Sequence, residues 1–194
     1  MNHYLTGTTI KELREKRQLT QAMLAEKIGV SDKTISKWET MRGLPDISLI
    51  EPLAAALGVS VAELLAGEYI TNHNVAGNML RSKIYVCPIC GNVNHSLGEA
   101  SVSCCGVSLP AIEAEPCDDA HDIKIEKIED EYFISMEHAM QKDHYISFFA
   151  CVTTDSFSIS KLYPEGDASK RFKVRGHGTI YAYCNRHGLM QKRF

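Results

Sequence analysis

The residues best suited to chemistry are Cys and His side chains in the C-terminal half of the chain. Cys184 and His187 lie three residues apart near the end of a strand-like run, and a thiolate with an imidazole is a pair of soft-metal donors. His121, His138 and His144 lie upstream and complete a candidate set of four imidazoles and one thiolate. Zinc usually takes four donors. Five protein donors leave one octahedral position open, so this set favours a redox-active iron.

The spacing of these residues resembles that of desulfoferrodoxin, the two-domain form of superoxide reductase. Three motifs carry the resemblance: His138-Ala139-Met140, His144-Tyr145-Ile146 and Cys184-Asn185-Arg186-His187-Gly188. In that family four His lie in a plane around a mononuclear iron, and a Cys sulfur is axial, opposite an open position. The resemblance implies His121, His138, His144 and His187 as equatorial ligands and Cys184 as the axial ligand. His177, between two glycines, is the rival for the place given to His121.

The resemblance also bears on reactivity. A thiolate opposite an open position favours reductive chemistry with a small oxygen species, here superoxide, whose one-electron reduction with two protons gives hydrogen peroxide. In the family a Glu-Lys pair precedes the first His, whereas this chain has Asp119 and Ala120 there. Asp119 is therefore the candidate catalytic residue, and the absent Lys removes a local positive charge. The resemblance implies superoxide as ligand or substrate and an electron donor such as rubredoxin.

A second group of cysteines predicts another metal site. Cys87 and Cys90 form a Cys-x-x-Cys knuckle, and Cys104 and Cys105 return two more thiols from a second turn. Four such sulfurs suit a tetrahedral site. The adjacent pair resembles the small, desulforedoxin-type N-terminal domain of desulfoferrodoxin, which holds a rubredoxin-like iron. Both iron and zinc stay open, because four sulfurs alone do not select the metal.

The chain before these motifs is predicted to form five short helices. Thr20 and Ser31 are suited to cap the second and third helices, and Gly29 permits the tight turn between them. The stretch from Thr20 through Gly29 to Glu39, within about residues 8–67, resembles the helix-turn-helix of phage-repressor and Cro-type (XRE-like) regulators. The alternative is a small helical bundle with a solvated charged face.

The helix-turn-helix resemblance implies a double-stranded DNA operator as partner. In such regulators the third helix enters the major groove, where Lys donates to guanine and Asp accepts from cytosine. The candidate DNA-binding residues are Gln21, Ser31, Asp32, Lys33, Ser36, Lys37 and Arg42. Asp32, Lys33 and Lys37 match base-reading positions, whereas Gln21 and Arg42 match contacts to the phosphate backbone. One small domain reads few base pairs, so we expect a homodimer on two half-sites.

The last part of the chain alternates between apolar and polar residues, which predicts β-strands. The predicted strands cover residues 123–128, 132–134, 145–152, 157–162, 172–174 and 179–183. Together they predict a β-sandwich, in agreement with the immunoglobulin-like iron domain of the resembled family. The predicted fold is thus multidomain α + β. Its parts are a helix-turn-helix domain (1–67), a linker (68–82), a four-Cys metal domain (83–116) and an iron-binding sandwich (117–194).

The composition of the chain bears on its partners and on its cellular compartment. The formal net charge is only −3, so no field of the whole chain points to a partner. Several of the seven cysteines have metal-type spacing, and the chain starts without a signal peptide, which together predict a reducing cytoplasm. No apolar run approaches the roughly 20 residues that a membrane helix needs, so we expect no membrane partner.

Three functions compete. The first is a DNA-binding transcriptional regulator whose iron region senses superoxide or redox state. The second is an active superoxide reductase, an oxidoreductase, that carries a DNA-binding appendage. The third is a purely structural metal scaffold. The helix-turn-helix disfavours a free-standing enzyme, and the complete donor motifs disfavour the scaffold, so we favour the regulator.

Overall fold

The computed structural model of the protein describes residues 5–119 and 121–194. The chain divides into two compact units, Met1–Thr71 and Asn72–Phe194. The first unit is helical and the second consists mainly of β-strands. Within the described ranges, no helix is both long enough and apolar enough to cross a membrane.

The described residues of the first unit form five α-helices. These are α1 (Gly7–Lys16), α2 (Gln21–Ile28), α3 (Asp32–Glu39), α4 (Ile47–Leu57) and α5 (Val61–Ala66). Thr20 and Ser31 cap α2 and α3 as predicted, since their hydroxyls accept hydrogen bonds from backbone N–H groups of the first turn. Gly29 ends α2 with a φ of 72°, in the left-handed region that glycine adopts without strain. These local signals produce the turn between α2 and α3.

One apolar core holds the helices of the first unit together. Its fully buried members include Ile10, Leu24, Ile35, Leu53, Leu57 and Leu64. Trp38 is buried on the inner side of α3, which leaves the opposite side of that helix exposed. The burial of apolar side chains, about 1.5–3 kcal/mol each, therefore fixes the orientation of α3.

The described residues of the second unit form twelve strands and one short 3-10 helix, Met79–Arg81. The strands are β1 (Lys83–Val86), β2 (Val93–Ser96), β3 (Val102–Cys104), β4 (Val107–Leu109), β5 (Glu115–Pro116), β6 (Ile123–Ile128), β7 (Glu131–Met136), β8 (Ile146–Val152), β9 (Phe157–Lys161), β10 (Ser169–Phe172), β11 (Thr179–Cys184) and β12 (Gly188–Arg193). The strand predicted over residues 172–174 lies earlier, at β10, and β12 was not predicted.

Two of the sheets pack face to face and confirm the predicted sandwich. A three-stranded sheet has the order β10-β7-β6, and a five-stranded sheet has the order β5-β12-β11-β8-β9. Ile123 and Ile134 from the first sheet and Phe149 and Ile180 from the second belong to one fully buried cluster. The core of the second unit therefore lies between these sheets.

The four cysteines lie on two β-hairpins attached to this sandwich. The first hairpin, β1-β2, packs through Ile84 on the outer face of the five-stranded sheet, against Phe148, Ala150 and Leu189. The second hairpin, β3-β4, contacts the other side of the first, where Leu109 and Tyr85 share a small buried cluster. The hairpins and the sandwich thus belong to one unit.

Candidate metal centres and nucleic-acid interface

The five predicted donors of the His and Cys set meet at one end of the sandwich. His121 precedes β6 and His138 follows β7, which are paired there through Ile123 and Met136. His144 precedes β8, Cys184 ends β11, and His187 precedes β12. Cys184 pairs with Ile146 of β8 and with Gly188 of β12. Antiparallel pairing therefore places the donor segments at one end of each sheet, and the packing of the two sheets brings both groups together.

The donor atoms of these residues converge within 4.8 Å of one another. His138 Nε2 lies 3.1 Å from His144 Nε2, His144 Nε2 lies 3.3 Å from His187 Nδ1, and His187 Nδ1 lies 2.9 Å from His121 Nε2. Cys184 Sγ lies 3.4 Å from His187 Nδ1 and 3.7 Å from His138 Nε2. The four nitrogen atoms thus follow one another in the order His138, His144, His187 and His121, and the sulfur lies near the nitrogen atoms of His138 and His187.

These distances fit a common metal ion. Two nitrogen donors at right angles on a metal, with bonds of about 2.1 Å, lie about 3.0 Å apart. The three separations between neighbouring imidazole nitrogens, from 2.9 to 3.3 Å, are close to that value. Lone pairs that face one another so closely also require a proton or a cation between them. The donor set therefore suits a metal ion with four nitrogen ligands and one sulfur ligand.

The protonation of the imidazoles favours ligation. Burial lowers the pKa of His138 and of His144, and neighbouring imidazoles lower both further. Neutral imidazole is the form that binds metals. His121 Nδ1 lies 3.0 Å from Asp118 Oδ1, which orients the ring so that Nε2 points to the other donors. Asp118 was not among the predicted site residues, although its position three residues before a candidate ligand was a usable signal.

The remaining candidates of this region lie at the edge of the cluster or away from it. Cys184 is buried, whereas His187 is exposed, so the donor cluster reaches from the core to the surface. Asp119 is exposed in the turn that leads to His121, and Ala120 lies outside the described residues. His177 precedes β11 and is therefore at the opposite end of that strand from Cys184. The structure brings His121, and not His177, to the other donors.

The sulfur atoms of Cys87, Cys90, Cys104 and Cys105 also lie within 4.8 Å of one another. Cys90 Sγ is 3.6 Å from Cys104 Sγ, and Cys104 Sγ is 3.9 Å from Cys105 Sγ. The backbone N–H of Cys90 and other donors lower the pKa of Cys87 to about 7, whereas the neighbouring thiols, Cys90 first, raise the pKa of Cys105 to about 12. Four thiolates this close require a cation, so this cluster suits a tetrahedral metal.

The candidate DNA-binding residues surround the outer side of α3. Ser31, Asp32, Lys33, Lys37 and Arg42 are exposed, and Ser36 is half-buried. Gln21 is half-buried at the start of α2, where its Nε2 donates to Glu39 Oε2 at 2.8 Å. Glu39 also accepts hydrogen bonds from Arg14, which the sequence analysis did not assign. The structure thus presents the charged residues of α3 to solvent and holds Gln21 by a carboxylate.

Comparison with known proteins gives separate matches for the two units. A family model described as helix-turn-helix matches residues 10–64. The immunity repressor protein of Bacillus phage phi105 is 36% identical over 70 residues, which are 36% of this chain and 49% of the repressor. The desulfoferrodoxin of Clostridium acetobutylicum is 38% identical over 55 residues, which are 28% of this chain and 44% of that protein. The chain thus spans less than half the length of each of these two relatives.

A solved structure shows the fold of the second unit. The superoxide reductase from Treponema pallidum is 20% identical, covers 58% of this chain and 98% of its own, and has a TM-score of 0.53. The chain therefore combines a helix-turn-helix domain of the phage-repressor type with a superoxide reductase-like region. Both predicted resemblances are confirmed.

Proposed function

We propose that the protein is a DNA-binding transcriptional regulator whose superoxide reductase-like region senses superoxide or redox state. The observation that carries the proposal is the presence, in one chain, of a helix-turn-helix whose third helix exposes Lys33 and Lys37 and of five converging metal donors. A regulator needs a surface that reads DNA and a second site whose state changes. The first unit would supply the surface that reads DNA, and the second unit would supply the site whose state changes.

The DNA partner in this proposal is a double-stranded operator. Lys33, Lys37 and Asp32 would contact base edges in the major groove, while Gln21, Ser31, Ser36 and Arg42 would contribute phosphate or sugar contacts. We further propose a homodimer, because two copies of α3 would read two half-sites about one helical turn apart. We propose that the functional domains are residues 1–67, 83–116 and 117–194, with residues 68–82 as the linker between the first two.

The metal cofactor in this proposal is iron at His121, His138, His144, His187 and Cys184, with iron or zinc at the four-Cys site. Iron with a thiolate ligand supplies one-electron redox chemistry with small oxygen species such as superoxide. The chain's own residues hold the donors in place, favour the neutral form of His138 and His144 by lowering their pKa, and bury the thiol of Cys184. Exposure of His187 leaves the donor cluster accessible to a small diffusible oxidant.

The completeness of the donor set also favours a second candidate function, superoxide reductase activity. Superoxide would take one electron and two protons to give hydrogen peroxide, with the electron supplied by a donor such as rubredoxin. Asp119 would be the acidic residue beside the centre. Because Ala120 stands where the family has Lys, we expect slow turnover, since no Lys at that position attracts the anion.

Operator affinity measured in two redox states tests the proposal. Binding sites are first selected from random DNA, and affinity for the selected site is then measured for anaerobically reduced protein and after exposure to superoxide. We expect the affinities to differ by about 5- to 150-fold, the usual range of coupling between sites. Cys184→Ser should abolish this difference, whereas Cys117→Ser, outside both donor sets, should retain it. Equal affinities of the wild type in both states would contradict the sensor.

A further inference from the structure

The two residues between Cys184 and His187 contact the segment that carries another donor. Asn185 Nδ2 donates to the carbonyl of Asp143 at 3.0 Å, and Asn185 Oδ1 accepts from the backbone N–H of Tyr145 at 2.8 Å. The backbone N–H of Asn185 also donates to the carbonyl of Tyr145, at 3.2 Å. Asp143 and Tyr145 are the neighbours of His144. One amide side chain therefore bonds to the backbone on both sides of His144.

Arg186 adds a second link to the same segment. Its Nε donates to the carbonyl of Asp143 at 3.1 Å, and its Nη2 forms an ion pair with the Asp143 carboxylate. Both side chains of this pair are more than half exposed, so the ion pair alone contributes little to the stability of this segment. The directional hydrogen bonds to the main chain are the more important restraint.

His144 needs such a restraint because regular strand pairing ends before it. The last paired residue of β8 toward this loop is Ile146, opposite Cys184, and the register shifts between Tyr183 and Cys184. On its other side, His144 forms only an isolated bridge with Gln141 among the described residues. Beyond the end of the strands, the Asn185 side chain thus adds two hydrogen bonds to the few backbone bonds that remain there, Asn185 to Tyr145 and Gln141 with His144.

We infer that Asn185 is a positioning residue: its amide holds His144 in place as a metal donor and joins it rigidly to Cys184 and His187. This inference deepens the proposed function, because it rests on the proposed iron centre. Asn185 would contact neither the metal nor superoxide. It would instead reduce the freedom that His144 loses when an ion binds.

Two other ion pairs beside donor residues provide a comparison. Lys124 pairs with Glu137, which precedes His138, and Lys192 pairs with Asp122, which follows His121. Among the contacts described for these pairs, neither includes an amide that bonds to both sides of the donor's backbone. Lys124→Gln is therefore the matched control: it removes a polar contact beside a donor without loosening the main chain.

The test is an anaerobic titration of the full-length protein with iron(II) against a competing chelator, in which iron at the five-donor centre is quantified from its ferric thiolate absorption after each sample is oxidised. Relative to wild type, Asn185→Ala should weaken iron binding there by about 10- to 100-fold, the range for residues that orient ligands. Metal at the four-Cys site should be unchanged, which shows that the second unit is folded. Lys124→Gln should bind iron as the wild type does.

The same substitution in a variant that lacks His144 shows whether Asn185 acts by positioning His144 or by stabilising the second unit in general. In a His144→Ala variant, which retains four of the five donors, adding Asn185→Ala should have little further effect on iron affinity. An equal loss in both backgrounds would overturn the inference, and so would wild-type affinity of the single Asn185→Ala variant. Absence of iron from the five-donor centre of the wild type would instead contradict the proposed function itself.

Discussion

Glu39 connects the folding of the first unit with its recognition surface. Its side chain is only 3% exposed and accepts hydrogen bonds from Arg14 Nη2 at 3.0 Å and from Gln21 Nε2 at 2.8 Å. Burial alone would raise the pKa of Glu39, but the hydrogen bonds from Arg14 and Gln21 outweigh it, and the pKa lies below its ordinary value. Gln21, a candidate phosphate contact, is therefore oriented from inside the unit.

Glu39→Gln should destabilise the first unit. The variant removes the buried carboxylate that pairs with the Arg14 guanidinium and leaves only the exposed Glu15, 3.5 Å away, which we expect to cost about 3 kcal/mol near neutral pH. Because the folded-state pKa of Glu39 is lowered, its contribution is present above the unfolded-state pKa and is lost as pH falls through the folded-state value. Chemical denaturation of wild type and variant from pH 7 to pH 3 measures this effect.

The difference between the two proteins should shrink toward pH 3. Glu26→Gln, at an exposed position on α2, is the control and should change the free energy of unfolding by less than about 0.5 kcal/mol. A difference between wild type and Glu39→Gln that stays constant with pH would contradict an ionised, stabilising Glu39.

The proposed contact between Lys37 and a base can also be tested with a single substitution. Lys37 is exposed on α3, one residue before the buried Trp38. Lys37→Ala should weaken binding to the selected operator by about 1–3 kcal/mol and broaden the base preference at one position, because a base contact is lost. Lys11→Ala, on α1, is the control. A variant that selects the same consensus sequence as the wild type would exclude Lys37 from the base-reading residues.

At the scale of elements, the hairpins β1-β2 and β3-β4 have a core too small for independent stability. Their shared cluster has only three buried members, Tyr85, Cys87 and Leu109, among the described residues. A two-stranded hairpin is marginally stable at best, so a metal at the four cysteines would contribute much of the folding free energy.

Cys104→Ser should therefore release the metal of the four-Cys site and unfold these hairpins locally. Limited proteolysis should then cleave between residues 87 and 105, while metal analysis finds one ion fewer for each chain. Cys117→Ser should leave both readouts unchanged. Full metal content together with wild-type protease resistance in Cys104→Ser would show that this cysteine is not a required ligand.

The sequence predicted the elements whose signals are local. Helix caps at Thr20 and Ser31, the glycine turn at Gly29, the apolar run of β8 and the alternation in β11 each act within a few residues, and the structure contains them. Strand β12 was missed because Gly188, Gln191 and Lys192 give it no clear alternation, and it forms through pairing with β11. Tertiary pairing, rather than propensity, decides such a strand.

The candidate metal donors could be predicted from the sequence for a similar reason. The residues that hold site residues in place by hydrogen bonds could not. Cys and His at short spacings are visible in one dimension, but the partner of a hydrogen bond is not. Asp118, Asn185 and Glu39 act through contacts with His121, with the backbone around His144 and with Arg14. The contacts of Asn185 and of Glu39 join residues that lie more than 20 positions apart in the sequence, so these contacts form only in the folded chain.

At the scale of the whole molecule, the proposed function requires that the redox state of one unit change the DNA affinity of the other. A signal of this kind is a coupling free energy between two sites, and it exists only while both units are in the same chain. The first unit has its own buried core, from Ile10 to Leu64, and should fold without the second. The coupling can therefore be removed by cutting the chain rather than by mutating either site.

A fragment of residues 1–71 should keep the sequence preference of the full-length protein but lose the redox response. The proposed base-reading residues all lie in this fragment, whereas the two donor clusters lie outside it. Affinities are measured on one half-site, so that dimerisation does not contribute, for fragment and full-length protein before and after superoxide exposure. The full-length protein should respond, and the fragment should not. A fragment that loses affinity to the same extent would place the oxidised group within the first unit, where Met23 and Met41 are exposed, oxidisable side chains among the described residues.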